Sequence, residues 1–401
     1  MHEDATAQRG GLARPITAGV VTALVGFTSA FTVVLAGLAG VGATPTQAAS
    51  GLLAVSVLMG LSTILLSSWT RMPVTVVWST PGAALLAATG IVEGGWPAAV
   101  GAFLVTGGLI VLTGFIPALG RLIAAIPATI AQAMLAGILF PLCLGPVLGL
   151  AENPLAVAPV VLTWLLAVRF LPRWAVPLAF LVAAIVIVAD LTIRGTAVDL
   201  AAFAPVVELT APVFTPAAAI GLAVPLWLVT MASQNVPGVA VLRSYGYEPP
   251  WRATMLLTGA GTMLGAAAGA HAMNLAAISA ALAAGEEAGP DVRRRWVAGL
   301  TSGIVTVVFG IAAAAFAALV GLAPAGIIAA VAGLALLMTF GAAVQQSLLD
   351  PDDRLPAVAT FLVAASGIAV LGVSAAFWSL VAGLAIRGLL RLGRRRTRNY
   401  D

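Results

Sequence analysis

The chain has 401 residues, of which 61% are hydrophobic and only 8% are charged, with a mean hydropathy of +1.08. An ordinary soluble chain carries about 25% charge. Nineteen basic and fifteen acidic side chains cannot cover a surface of this size, so a soluble enzyme is excluded and lipid must be the solvent.

Every basic residue is arginine, which removes the lysine of a phosphate-binding P-loop and of a Schiff base. Two histidines, His2 and His271, and one cysteine, Cys143, cannot assemble a zinc site of ordinary composition. No disulfide can close within one chain, and no metal or cofactor is expected. A net charge of +4 does not point to nucleic acid, because the arginines are spread along the chain. The start does not read as a secretory signal: Glu3, Asp4 and a polar stretch to Arg14 precede an apolar run too long for one.

A helix needs about 20 apolar residues to cross a bilayer. Cut at their Gly, Pro and charged breaks, the apolar runs give fourteen segments: 15–40, 45–68, 74–91, 97–119, 121–144, 153–170, 174–190, 215–242, 251–268, 270–285, 294–319, 324–347, 355–372 and 374–391. The expected fold class is an all-α polytopic membrane protein.

With the N-terminus in the cytoplasm, cytoplasmic ends receive Arg9, Arg14, Arg71, Arg121, Arg169, Arg173, Arg243, Arg252, Arg293 to Arg295, Arg354 and the tail from Arg387 to Arg398. Only Arg194 falls outside, while Glu93, Glu152, Asp190, Asp199 and Glu208 sit in external loops. This bias follows the positive-inside rule and supports an even count with both termini inside. The run Arg394-Arg395-Arg396 reads as a topology anchor rather than a lipid-binding or nuclear-targeting cluster.

The longest polar-leaning connection, 191–214, separates two halves of seven spans, 14–190 and 215–391, flanked by tails over 1–13 and 392–401. An odd number of spans per half turns the second half upside down, the inverted-repeat plan of many secondary transporters. A weak echo supports it: Pro127-Ala128-Thr129-Ile130 opens the fifth span and Pro324-Ala325-Gly326-Ile327 the twelfth, 197 positions on.

The third and tenth spans are too short to cross as helices. In the third, the β-branched run Val74-Thr75-Val76-Val77 suits an extended strand. Ser79 or Thr80 then caps a helix with Pro81 at its first position, and the helix reaches only to about Ile91. In the tenth, Gly269-Ala270-His271-Ala272-Met273 precedes Asn274, a good cap, and a helix to about Gly285. Thr80 and Asn274 are 194 positions apart, close to the repeat offset. Two half-helices would point their N-termini at each other near the midplane. Free N–H groups and the helix dipoles there would bind a small anion such as a carboxylate.

Several stretches are familiar together. Arg14-Pro15 with Gly26-Phe27, Gln47-Ala48-Ala49-Ser50-Gly51, Trp78-Ser79-Thr80-Pro81-Gly82-Ala83-Ala84-Leu85-Leu86, Ala102-Phe103, Ile126-Pro127-Ala128 and Ala133-Met134-Leu135-Ala136-Gly137 resemble the bacterial benzoate/proton symporter family, BenE, over about residues 14–390. The resemblance implies the fourteen-span fold shared with nucleobase and sulfate-type anion transporters. It also implies a core domain of spans 1–4 and 8–11, a gate of spans 5–7 and 12–14, and an elevator motion carrying substrate between spans three and ten. Nucleobase transporters of that fold carry acids on the eighth span and at the start of the tenth. Here Gln234 and Met273 stand in those places, which suits an anionic substrate because a nearby carboxylate would repel it.

For the substrate carboxylate, one side of the site is expected from Ser79, Thr80, Pro81 and the N–H groups near Gly82 and Ala83. The other is expected from Asn274 and the N–H groups of Leu275 and Ala276. Gln234 and Asn235 would orient the ligand, while Phe27, Phe31 and Phe340 are candidate walls for an aromatic ring. His271, the one histidine within a span, is the candidate proton-coupling residue; Glu93, Glu286 or Glu287 acting from a loop, and entry of the neutral acid, are the alternatives.

The expected function is proton-coupled import of benzoate or a related aromatic monocarboxylate across a bacterial inner membrane. A transporter for another small organic anion or a nucleobase is the alternative on the same fold. A passive anion channel is the alternative of another class, against which no charged selectivity ring is visible. Too few catalytic groups remain for an intramembrane enzyme. The expected partners are the carboxylate, protons and lipid, with no nucleic acid; a homodimer is left open.

Overall fold

The computed structural model describes residues 11–196, 199–277, 279–370 and 373–397. His2, Glu3, Asp4, Arg9, Ile278 and Arg398 lie outside the described residues. The chain is helical almost throughout. Helix α1 (Ala13–Thr28) continues after a break as α2 (Phe31–Gly40), followed by α3 (Pro45–Thr70). A short strand β1 (Val76–Trp78) leads into helix α4 (Thr80–Thr89). Next come α5 (Gly95–Phe115), α6 (Pro117–Ala125), α7 (Ala128–Cys143), α8 (Gly145–Glu152), α9 (Pro154–Phe170) and α10 (Ala175–Arg194).

The second half opens with α11 (Pro216–Ser244) and α12 (Trp251–Ala266). Strand β2 (Met273–Leu275) and the one-turn helix α13 (Ala280–Ala284) follow. The chain ends with α14 (Trp296–Ile311), α15 (Ala313–Gly321), α16 (Ile327–Ser347), α17 (Arg354–Ala365) and α18 (Ala375–Thr397). Among the described residues, eight continuous segments are long and apolar enough to cross a bilayer, and a ninth is bent by 52° between α14 and α15.

Several sequence-derived boundaries move. The run expected over 97–119 stops at Phe115, because Ile116 precedes Pro117 and is extended, at ψ 100°, so that Pro117 opens the separate helix α6. The next span begins at Ala128, after Pro127. The span expected over 174–190 continues to Arg194, so Arg194 is no loop residue but pairs one turn back with Asp190 at 3.0 Å. The span expected over 355–372 is helical only to Ala365.

Close helix crossings are set by glycine. A Cβ on Gly60 of α3 would lie 2.8 Å from the Gly303 carbonyl of α14, and one on Gly303 would lie 2.7 Å from that of Gly60. Gly107 of α5 and Gly259 of α12 meet in the same way, at 2.8 and 2.7 Å. Small residues let backbones approach where lipid offers no hydrophobic drive for association. A separate apolar cluster, including Val157, Val160, Trp164, Ala179, Val331 and Leu334, joins α9, α10 and α16.

Residues 208–213, ahead of α11, form a strap. Glu208 accepts from Gln47 Nε2 at 2.9 Å, and Ser50 accepts from the Glu208 N–H at 2.9 Å. Thr210 N–H donates to the Ala267 carbonyl at 2.8 Å, and Val213 N–H to that of Pro97 at 2.9 Å. The strap thereby pins the ends of α3, α5 and α12 on one side of the molecule.

Candidate functional site

At the centre, β1 and β2 pair antiparallel, with Val76 opposite Leu275, Val77 opposite Asn274 and Trp78 opposite Met273. The ladder is extended by Ser79 N–H to Ala272 O (2.8 Å) and Ala276 N–H to Thr75 O (2.9 Å). Two strands leave outer edges that a buried site must satisfy. Side chains do this. Val76 N–H donates to Thr63 Oγ1 of α3 at 2.8 Å, and Met273 N–H to Thr262 Oγ1 of α12 at 3.0 Å. Leu275 N–H donates to Asn235 Oδ1 of α11 at 3.0 Å. The Asn235 amide group points back to the Met231 sulfur at 3.2 Å, within a π-helical turn over Met231–Asn235. Such turns are frequent at functional sites.

Helix α4 starts as its local sequence dictates. Ser79 is the N-cap and accepts from Gly82 N–H at 3.1 Å; Thr230 of α11 donates its hydroxyl to the same oxygen at 2.8 Å. Thr80 therefore stands at the first helical position and Pro81 at the second, where its missing N–H costs nothing. Gly90, at φ 75°, ends the helix just before the expected Ile91.

The tenth segment differs from expectation. Asn274 is not a cap but the middle residue of β2, and the helix begins only at Ala280 and lasts five residues. Pairing with β1 keeps the backbone extended where local sequence favoured a cap. The N–H groups of Leu275 and Ala276 are taken by Asn235 and Thr75. The facing pair of helix dipoles is therefore reduced to one, at α4, and there the N–H groups of Gly82 and Ala83 are already bound by Ser79.

A cavity of about 330 Å³ lies against the start of α4. Its walls are mostly apolar: Val25 and Ala30 of the first span, Val77 and Trp78 of β1, Leu139 of α7, Val176 of α10, Leu282 of α13 and Leu336 of α16. Its polar groups are Ser29, Thr80, Gln234, Ser279, Thr339 and Arg173. No carboxylate lines it among the described residues. Pockets that take small ligands have this composition and, at about 300–1,000 Å³, this size.

Of the residues singled out from sequence, Thr80, Pro81 and Gln234 line this cavity. Ser79, Gly82, Ala83, Asn235, Met273, Asn274 and Leu275 are buried behind it as its scaffold. Phe27 and Phe31 are not walls. They stack on each other at 5.6 Å, and Phe27 backs Trp78 at 5.3 Å and packs on Phe309 and Phe316 at 5.0 Å. Phe340 packs on Phe140 at 6.2 Å, away from the lining. His271 is wholly buried; its Nε2 lies 3.3 Å from the Ser79 carbonyl, and its Nδ1 has no partner among the described residues. Because a carbonyl only accepts, Nε2 is the nitrogen that donates to it, and Nδ1 is left without a partner.

The family model for the benzoate membrane transport protein matches residues 13–389. The chain belongs to that family. An inner membrane protein of Escherichia coli, YdcO, is 37% identical over 369 residues, covering 92% of this chain and 93% of that one. A benzoate membrane transport protein of Acinetobacter baylyi is 32% identical over 332 residues, covering 82% and 83%. The benzoate transport family is one of membrane transporters, not enzymes. Among solved structures, the transmembrane domain of the cyanobacterial bicarbonate transporter BicA superposes with a TM-score of 0.60 at 17% identity, over 94% of this chain and 98% of that one. A murine solute carrier 26 anion transporter in its inward-facing state does so at 0.60 and 13% identity, over 96% and 69%. This member of the benzoate transport family thus shares the fold of these anion transporters.

Sequence reasoning missed Ser29, Ser279, Thr339 and Arg173 as lining residues of this benzoate-family cavity. Ser29 sits at the break between α1 and α2, inside a run that the sequence reads as one span over 15–40. Arg173 read only as a topology anchor, and nothing local links it to the half-helix.

Proposed function

We propose that this chain imports benzoate or a closely related aromatic monocarboxylate, driven by protons, through the inner membrane of a bacterium. The observation that carries the reading is the cavity's lining: an apolar slot beside Trp78, closed by hydroxyls and an amide at a capped helix N-terminus, with no carboxylate among the described residues. The apolar walls suit an aromatic ring, and donors at Thr80, Ser279 and Gln234 suit a carboxylate. A nucleobase carrier would want an acid in that lining.

In this reading the eight long segments, the bent pair, the shorter helices α9, α12 and α17, and the two strand–helix units make fourteen segments in two inverted repeats. Support comes from residues with matching duties. Thr63 and Thr262 each cap a strand edge, and the Gly60–Gly303 and Gly107–Gly259 crossings exchange under the repeat. Residues 14–190 and 215–391 form the repeats, joined by 191–214. Segments 1–4 and 8–11 form the core that slides against a gate of 5–7 and 12–14, and both termini are cytoplasmic.

His271 is the proposed proton-coupling residue, supported by its unpartnered Nδ1 and its contact with the Ser79 carbonyl. In His271→Gln, benzoate still binds but no longer accumulates against its gradient; coupled accumulation at the wild-type level assigns the proton elsewhere. The reading as a whole is tested by uptake of labelled benzoate into proteoliposomes. An inward proton gradient is expected to drive accumulation, whereas uptake indifferent to that gradient removes symport.

A further inference from the structure

Arg173 sits in the one-turn segment Pro172–Trp174 between α9 and α10, and it is the one charged residue lining the cavity among those described. Its guanidinium forms an ion pair with Glu287, which lies in the turn Glu286–Ala288 beyond α13. Arg173 and Leu282 also line a second hollow of about 430 Å³, shared with Ala13, Arg14, Thr17, Trp174, Glu286 and Glu287. Arg173 therefore borders both hollows, while Glu287 borders only the second, a vestibule beside the cavity.

The two partners are held differently. The loop that bears Glu287 is fixed at both ends by the buried Arg295, whose Nη1 donates to Ala284 O at 2.7 Å and whose Nε donates to Gly289 O at 2.9 Å. The backbone that carries Glu287 is thus anchored on both sides. Arg173 is a long, flexible cation with 57% of its side chain exposed, against 39% for Glu287. An ion pair so open to water is weak and exchanges readily. Inside the cavity the remaining polar groups are neutral, so an entering carboxylate finds one full counter-charge within reach.

We propose that Arg173 is a switchable counter-ion, shared in turn between Glu287 and the substrate carboxylate. This rests on the transport reading above. Before loading, Glu287 neutralises Arg173 and ties segment 172–174 to segment 286–288 across the mouth. Loading moves the guanidinium to the substrate and severs that tie, so occupancy and opening of the mouth are linked. Glu287 competes with substrate for one cation; Arg14 and Glu286 are the other charges lining the vestibule.

The test is benzoate titration of the purified full chain by calorimetry, with thermal melting to confirm folding. Arg173→Gln is expected to weaken binding roughly tenfold or more, and Arg173→Lys to restore part of the loss. Glu287→Gln is expected to tighten binding about threefold or more by removing the competitor. The double variant Arg173→Gln with Glu287→Gln should match Arg173→Gln alone, because the competitor has nothing left to hold. Arg173→Gln binding within about twofold of wild type overturns the proposal. So does Glu287→Gln weakening binding as much as Arg173→Gln, which makes the pair a structural strut. Wild-type protein that binds no benzoate defeats the transport reading and this inference with it; wild-type binding with an indifferent Arg173→Gln defeats the inference alone.

Discussion

Thr80→Asp is expected to abolish benzoate binding while leaving the fold intact. Thr80 is the first residue of α4 and lines the cavity, so an aspartate there places a carboxylate where the proposed site puts the substrate's own. At about 4 Å and an effective dielectric near ~20, two such charges repel by about 4 kcal/mol, roughly a thousandfold in affinity. The helix itself does not object, because an acid in the first turn is favoured by the dipole. Calorimetry with Thr80→Asp beside Thr80→Ser checks this. Binding by the aspartate variant at wild-type strength places the carboxylate elsewhere.

The second large effect concerns stability. Asp353 is buried where the chain turns into α17. It accepts from Arg387 Nε of α18 at 2.6 Å and from the Thr129 hydroxyl of α7 at 2.8 Å. Burial pushes its carboxyl up, but the bonds from Arg387 and Thr129 and the charges of Arg387 and Arg391 outweigh burial and hold it below its ordinary value. Asp353→Ala leaves a partly buried guanidinium and a hydroxyl unpaired. Removing one member of a buried pair costs about 3–5 kcal/mol, and the lower end applies here because Arg387 is 20% exposed. The melting temperature of the detergent-purified variant should fall clearly at neutral pH. A lowered carboxyl value contributes stability above the unfolded value, near ~4, and that stability is lost as pH falls through the folded one. Wild-type protein should therefore lose melting temperature on acidification below about pH 4 more steeply than Asp353→Ala. Equal melting temperatures at neutral pH deny Asp353 this role.

The first half-helix was legible because its signals are local. A β-branched run, a serine cap and a proline in the first turn fall within eight residues, 74–81, and the structure follows them to within one position. Asn274 failed for the opposite reason. Its cap propensity is real, but the strand opposite it comes from nearly 200 residues earlier, and that pairing decides its backbone. Phe27 and Phe31 have the one-turn spacing of a cavity wall, yet Phe309 and Phe316 reach them from a distant bent helix and close them off. Arginine positions pointed to an orientation and carried no chemistry: Arg173 and Glu287 are 114 residues apart, and only the folded chain brings them together. Thr63 and Thr262 carried no signal, since a hydroxyl that caps a remote strand looks like any threonine in a helix.

Where the carboxylate sits is the point on which the account turns. A structure of the protein with 4-iodobenzoate, located by its iodine anomalous signal, measures it directly. The iodine is predicted within the apolar slot bounded by Trp78, Val25 and Leu139, with the carboxylate turned toward Thr80 and Ser279. An iodine peak outside that slot, or a carboxylate directed away from the start of α4, contradicts the account.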